Sequence, residues 1–257
     1  MPHIGDTRYA VVSCHVERPL HDETWRRFSA LQARAPGGFR IAALLRPPDR
    51  ASGEDEDRWV ERARQAAKQG PLGHHTHWGG PERARPARGV NAAARVGEEA
   101  AWLRHRGFEP RLFCGGGWYT DAEVAATLAE LGCVDCTATA FRPAYLPPDA
   151  TRAELDVPAW VRLGERRLLV LPTTHSLGMA ARAAIGPSST AAVVHAYFHD
   201  TDLTDVKRRL ALGAALVVLG RRRRAIDLEQ LAAAVADTAP EVAFGEVARP
   251  GNRRPQP

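Results

Sequence analysis

The sequence predicts an α/β fold, an irregular (β/α) barrel of about seven parallel strands with helices outside, and three observations carry that reading. Apolar, β-branched runs alternate with segments of helical periodicity along nearly the whole chain. The 257 residues match the size at which an α/β barrel forms one domain. Histidines and acids collect at the carboxyl ends of several predicted strands, where active sites of such folds lie. No fixed-period repeat is present, which excludes a solenoid.

Tyr9 to Glu17 read as the first strand, with Ser13, His15 and Glu17 on one face by alternation. Asp22 caps a helix running to Ala35, with Trp25, Phe28 and Leu31 along one face, and Pro36 to Gly38 end it. Phe39 to Leu45 form the second strand, closed by Pro47 and Pro48. The acidic run Glu54 to Asp57 opens a helix to Gln69, where acid suits the positive end of the helix dipole. Leu72 to Trp78 form the third strand, and Asn91 to Arg106 a helix ended by Gly107. Pro110 to Cys114 form the fourth strand, which breaks into Gly115 to Gly117. Thr120 and Glu123 make a capping box for a helix to Leu131. Cys133 to Ala138 form the fifth strand, and the proline-rich residues 141–165 an irregular insertion. Arg167 to Pro172 form a further strand, followed by a small-residue segment to Ala184. Ala191 to His199 read as a long strand, Asp200 to Leu212 as a helix and Ala214 to Leu219 as another strand. Leu228 to Ala236 form the last helix, with Val242 to Phe244 a short edge. Residues 1–245 are thus one catalytic domain, and 246–257 a flexible basic, proline-rich tail.

The composition, 44% hydrophobic and 25% charged, is that of a soluble globular protein. No stretch approaches the roughly 20 apolar residues of a membrane span. Met1 to Arg8 hold no apolar targeting run, which places the expected location in the cytoplasm. The net charge of +5 invites a nucleic-acid reading, yet among 35 basic residues the lysines are Lys68 and Lys207 alone. The arginine runs, Arg221 to Arg224 and the tail, carry no interleaved aromatics and no nucleic-acid motif. They read as a solvated loop and tail, or, for Arg221 to Arg224, as a hold on a substrate phosphate or carboxylate. Cys133 and Cys136 have zinc-knuckle spacing, but no second pair completes four ligands, so all four cysteines read as thiols.

The stretch from Gly73 to Pro81 organises the chemistry. Alternation puts His75 and His77 on one face of the strand and His74 and Thr76 on the other. Neutral imidazole is the commonest metal ligand, and the Gly79-Gly80-Pro81 turn leaves room for a substrate. An H-x-H alone describes a solvated strand end equally well. Three other strand ends add to it: His15 with Glu17, Cys114 to Tyr119, and His195 to Asp200. In the last, His195, Tyr197 and His199 share one face, and burying three polar groups there is costly without partners. A metal, a water and a polar substrate would supply those partners.

These four stretches resemble the polysaccharide deacetylases, the family 4 carbohydrate esterases, over about Ala10 to Ala236 in matching order. The resemblance implies a (β/α) barrel that uses a divalent metal, zinc in most members, to hydrolyse N-acetyl groups on sugars. It gives Glu17, His75 and His77 the metal-ligand places, His15 the catalytic base and His199 the general acid. Cys114, Trp118, Tyr119, His195, Tyr197 and Asp200 fall at substrate or oxyanion positions. Three residues depart from the family pattern. His15 stands where the family has Asp, Cys114 where it usually has Arg, and Gly79 where many members have a second histidine.

The expected function is therefore metal-dependent removal of an N-acyl group, an acetyl by resemblance, from a sugar or sugar-containing precursor. Zinc needs three protein ligands and an open position for water. A histidine base suits proton transfer near neutrality and needs no arginine to keep it ionised. Two alternatives stay open. With His15 as a fourth ligand, the barrel would be a degenerate carbohydrate-binding or scaffolding relative. With a small non-sugar amide as substrate, it would be an amidohydrolase, and His175 a substrate contact or a surface residue. The partners expected are a small carbohydrate or N-acylated substrate, with no nucleic acid and no membrane span.

Overall fold

Strand β1 (Tyr9–Val16) is buried along its whole length and lies inside the sheet, because its side chains serve two cores at once. In the computed structural model, which describes residues 7–87, 89–185 and 191–249, β1 leads through α1 (Asp22–Arg34) to β2 (Ala42–Leu45). Then come α2 (Glu56–Ala67), β3 (Leu72–Thr76), α3 (Ala92–His105), β4 (Leu112–Gly115), α4 (Ala122–Glu130) and β5 (Val134–Asp135). Next are β6 (Arg152–Ala153), β7 (Ala159–Leu163), β8 (Arg166–Val170), β9 (His175–Ser176), α5 (Leu177–Ile185) and β10 (Val193–His199). The chain closes with α6 (Val206–Arg222), β11 (Arg224–Ala225), α7 (Leu228–Val235), β12 (Glu241–Ala243), α8 (Phe244–Val247) and β13 (Ala248–Arg249).

The main sheet has 11 strands in the order β12-β7-β8-β5-β4-β3-β2-β1-β10-β9, with β11 also on β1. From β8 to β9 every neighbouring pair is parallel, and β7 is antiparallel to β8. The expected mostly parallel, barrel-like α/β fold is what the chain adopts. Tyr9 and Val11 point to an inner core with Leu44, Leu112, Cys114, Trp118 and Tyr197. Ala10, Val12, Cys14 and Val16 point outward and pack on Trp25, Phe28, Leu31, Trp59 and Leu216 of the helices. Each large side chain buried this way contributes on the order of 1.5–3 kcal/mol. Burial on both faces is why these strands read as continuous apolar runs.

Several elements differ from expectation. Ala214 to Leu219 is part of α6: Leu212, Ala215 and Leu216 are buried at helical spacing, and a short apolar run is ambiguous between the two periods. Gly220 makes the packing possible, since a Cβ there would meet Gly37 O at 2.1 Å. Arg221 and Arg222 consequently end a helix, and buried Arg223 donates to Ala191 O at 2.7 Å and Tyr9 O at 3.4 Å. That contact lies at the start of β1, away from the strand ends carrying the histidines. The insertion at 141–165 contains β6 and β7. His21, not Asp22, caps α1 through the Thr24 amide, and Asp121, not Thr120, caps α4. Asp200–Thr204 is a separate 3₁₀ turn ahead of α6. Within the segment read as a tail, Ala248–Arg249 pair with β6, while residues 250–257 lie outside the described residues. Among the described residues, no helix is long and apolar enough to cross a membrane.

Candidate metal centre

The site forms where β1, β3, β4 and β10 end. Register sets His15 beside His199 and His75 beside Cys114. β1 and β3 are separated by β2, so their backbones are about 10 Å apart. The rings of His15 and His75 nevertheless lie 4.7 Å apart, because both project into the same concave face. Glu17 is one residue beyond β1, held there by Asp200, whose carboxylate accepts the Glu17 amide at 3.2 Å and the Arg18 amide at 2.9 Å.

The tautomers of the two β3 histidines follow from their backbone partners. His75 Nδ1 lies 2.9 Å from Cys114 O, and His77 Nδ1 lies 3.0 Å from Pro81 O. A carbonyl only accepts, so each Nδ1 carries its proton and each Nε2 keeps a lone pair. These two Nε2 atoms face each other at 3.3 Å, with Glu17 Oε1 at 3.6 Å from that of His77. Two lone pairs and a carboxylate converging this closely need positive charge between them, either an added proton on an imidazole or a cation. Donor atoms of Glu17, His75 and His77 all lie within 4.8 Å of one another. Nδ1–H bonded to a carbonyl, with Nε2 free, is the usual orientation of a metal-ligating histidine. The residues therefore fit a divalent cation, with two nitrogen donors and one oxygen donor.

Electrostatics agree. Burial opposes ionisation of Glu17, but the His77 side chain and the charges of His199 and His75 outweigh it and bring its pKa to about 2. Burial, reinforced by His77, lowers His75 to about 3, so it is neutral at ordinary pH. Burial first, then His75 and His199, holds His15 well below its usual value. Asp200 is pushed up to about 6 by burial, against the backbone amides that it accepts.

The remaining candidates divide. Trp118 and Tyr197 wall the site, with ring centroids 5.2 Å and 5.0 Å from His15, and the Trp118 indole donates to Tyr145 Oη at 2.6 Å. Trp118 is one of two non-glycine residues with positive φ among those described, +60°, a strained conformation of the kind that functional sites retain. Gly116 permits the close approach beneath it: a Cβ there would meet Thr76 O at 2.5 Å and His77 Cδ2 at 3.0 Å. His199 sits between carboxylates, its Nε2 at 3.5 Å from Glu17 and its Nδ1 at 3.8 Å from Asp202. Cys114 is buried beside His15 and His75.

Three others are not brought to the cluster in the expected role. Tyr119 turns to the opposite side, its ring 5.1 Å from Trp78 and its hydroxyl donating to Asp121. His195 lies deeper in the barrel, Nε2 2.8 Å from Ser13 Oγ, with burial lowering its pKa to about 4. Asp200 is fully buried and spends its oxygens on backbone amides. Sequence reasoning missed Tyr145, Ser176, Asp202 and Arg208, which with Tyr197 and His199 line a cleft of about 420 Å³ beside the cluster. Asp202 was accessible as an acid three residues after His199, but nothing marked Tyr145 within the proline-rich insertion.

No family model matches the sequence, and no curated protein matches it. Among solved structures, the chain is similar to a 4-α-glucanotransferase from Thermococcus litoralis, with 12% identity and a TM-score of 0.58 over 93% of this chain. The chain spans 42% of that enzyme's length. It is also similar to a protein from Bordetella bronchiseptica described as a polysaccharide deacetylase involved in O-antigen biosynthesis. That likeness has 12% identity and a TM-score of 0.47, over 83% of this chain and 90% of that one. The glucanotransferase likeness concerns the fold alone.

Proposed function

We propose that the chain is a metal-dependent amide hydrolase that removes an N-acyl group from a sugar or a sugar-containing precursor. One observation carries the metal: the Nε2 atoms of His75 and His77, fixed by backbone carbonyls, converge with the Glu17 carboxylate. A divalent cation such as zinc held there supplies Lewis-acid polarisation of the acyl carbonyl and a more acidic water.

The chain's own residues do the rest. His15 lies against the cluster, its ring 4.7 Å from that of His75, and is the base for the attacking water, though burial, which lowers its pKa, weakens it in that role. His199 stands at the cleft mouth, 27% exposed, where it delivers a proton to the leaving amine. Tyr119 is engaged with Asp121 and the Gly115 amide with Thr137, so of the oxyanion donors expected from the sequence the amides of Gly116 to Trp118 remain the candidates. The cleft beside His199 and Tyr197, about 420 Å³, is within the range of small-molecule sites. The sugar itself rests on the likeness of the four strand-end motifs.

Acetate and formate release from a panel of N-acylated sugars, sugar nucleotides and small amides tests this reading. Release by the metal-loaded chain, abolished in Glu17→Gln, is the expected result. Release from no substrate by a chain with metal bound would favour a carbohydrate-binding role. Release only from non-sugar amides would move the substrate class.

A further inference from the structure

The ring nitrogens around His75 serve a second set of donors. His15, His75 and Cys114 each offer one ligand atom, all within 4.8 Å of one another, and all three residues are buried. His15 is 2% exposed and its Nε2 has no hydrogen-bond partner, the most costly state for a buried ring nitrogen unless something occupies that side of it. The Cys114 thiol makes a long contact, 3.9 Å, to the carbonyl of Gly115, and its other neighbour is the Thr137 hydroxyl. Donors also differ in kind between the two sets. Glu17, His75 and His77 present a carboxylate oxygen and two imidazoles; the inner set presents a thiolate sulfur and two imidazoles.

We propose that His15, His75 and Cys114 form an inner cation site, selective for thiophilic metals, that excludes occupation of the outer Glu17–His75–His77 site. Exclusion follows from His75. Its Nδ1–H is committed to Cys114 O, so Nε2 is its one lone pair, and one lone pair ligates one cation. The pocket then carries a single cation in either of two places. Softer ions, such as cadmium or cuprous copper, gain from sulfur and move inward; harder ions, such as manganese, keep to the carboxylate. On inward binding the Cys114 S–H bond breaks, its proton passes to water and a metal–sulfur bond forms, with no change of oxidation state. Inward occupation also takes the His15 lone pair, so the chain loses its proton acceptor while holding metal. This inference stands on binding alone and does not depend on hydrolysis.

Cadmium titration of the full chain, followed by near-ultraviolet thiolate-to-metal absorption, tests it. The wild-type band is expected to saturate at one equivalent, to vanish in Cys114→Ser and to persist in Glu17→Gln. It is also expected to persist when Cys133 and Cys136 are both changed to serine. Cadmium should displace bound manganese from the wild-type chain. Cadmium binding without a thiolate band, a band that survives Cys114→Ser, or manganese and cadmium held together would each overturn the proposal. If Cys114→Ser does not fold, His15→Ala decides: the cadmium midpoint should rise, and an unchanged midpoint contradicts the site.

Discussion

His74, His75, Thr76 and His77 follow one another on a single strand, yet the two faces they occupy are matched in opposite ways. On the outer face the polar side chains converge on one fixed acceptor from α3. His74 Nε2–H donates to Glu99 Oε2 at 2.7 Å, the Thr76 hydroxyl donates to the same oxygen at 2.8 Å, and Arg95 Nε donates to Oε1 at 2.9 Å. Inward, the His75 and His77 Nε2 lone pairs face each other. A buried imidazole is structural when its partners are donors and acceptors in balance. It marks a ligand site when only lone pairs converge. Residue type alone does not distinguish the two faces.

Four substitutions test that division. His15→Ala, on the inner face, should cut the rate of amide hydrolysis by about 10²–10⁴-fold in a chain that still holds its outer metal. Steady-state kinetics beside a metal assay checks this, and loss of the metal instead would make His15 a ligand of the outer cation. His74→Ala, on the outer face, should do the reverse. It takes one of three hydrogen bonds from the Glu99 carboxylate, which Arg95 and Thr76 still hold, a loss of about 1–3 kcal/mol in urea unfolding, with the metal retained. The outer network also has a pH signature. Burial raises the Glu99 pKa, but the hydrogen bond from His74 and the nearby charges outweigh it, so the net shift is downward from 4.5. A depressed carboxylate stabilises the fold above its unfolded pKa, and that contribution should fade as pH falls below about 4.3. In His74→Ala this acid sensitivity should shrink.

Much of the inner face was legible from alternation. Ser13, His15 and Glu17 on one face, and His75 with His77 on another, follow from the two-residue period of a strand, and parallel strands bring such ends together. The outer network was not, because Glu99 sits mid-helix in α3 and no local pattern ties it to His74, 25 residues earlier. The misread strand at Ala214 to Leu219 has a similar cause: its apolar residues fit either period, and tertiary packing against the turn at Gly37 decided. Asp200 is a third instance, since adjacency to His199 suggested substrate contact and the fold turns it to the Glu17 and Arg18 amides instead.

Asp200→Asn removes one of those acceptors and should loosen Glu17. A supporting partner of a ligand is typically worth about 10–100-fold in metal affinity, which a competitive chelator titration reads directly. An unchanged affinity would leave Asp200 a purely structural residue. The smallest effect is expected from Trp118→Phe, which loses the hydrogen bond to Tyr145, about 1 kcal/mol in unfolding, and leaves metal binding intact.

The decisive measurement is elemental analysis of the purified full chain beside a His75→Ala, His77→Ala double variant, with His74→Ala as the outer-face control. Convergent lone pairs on the inner face predict one divalent cation per chain in the wild type and in His74→Ala, and none in the double variant. Equal metal content in wild type and double variant would contradict a metal centre on β3.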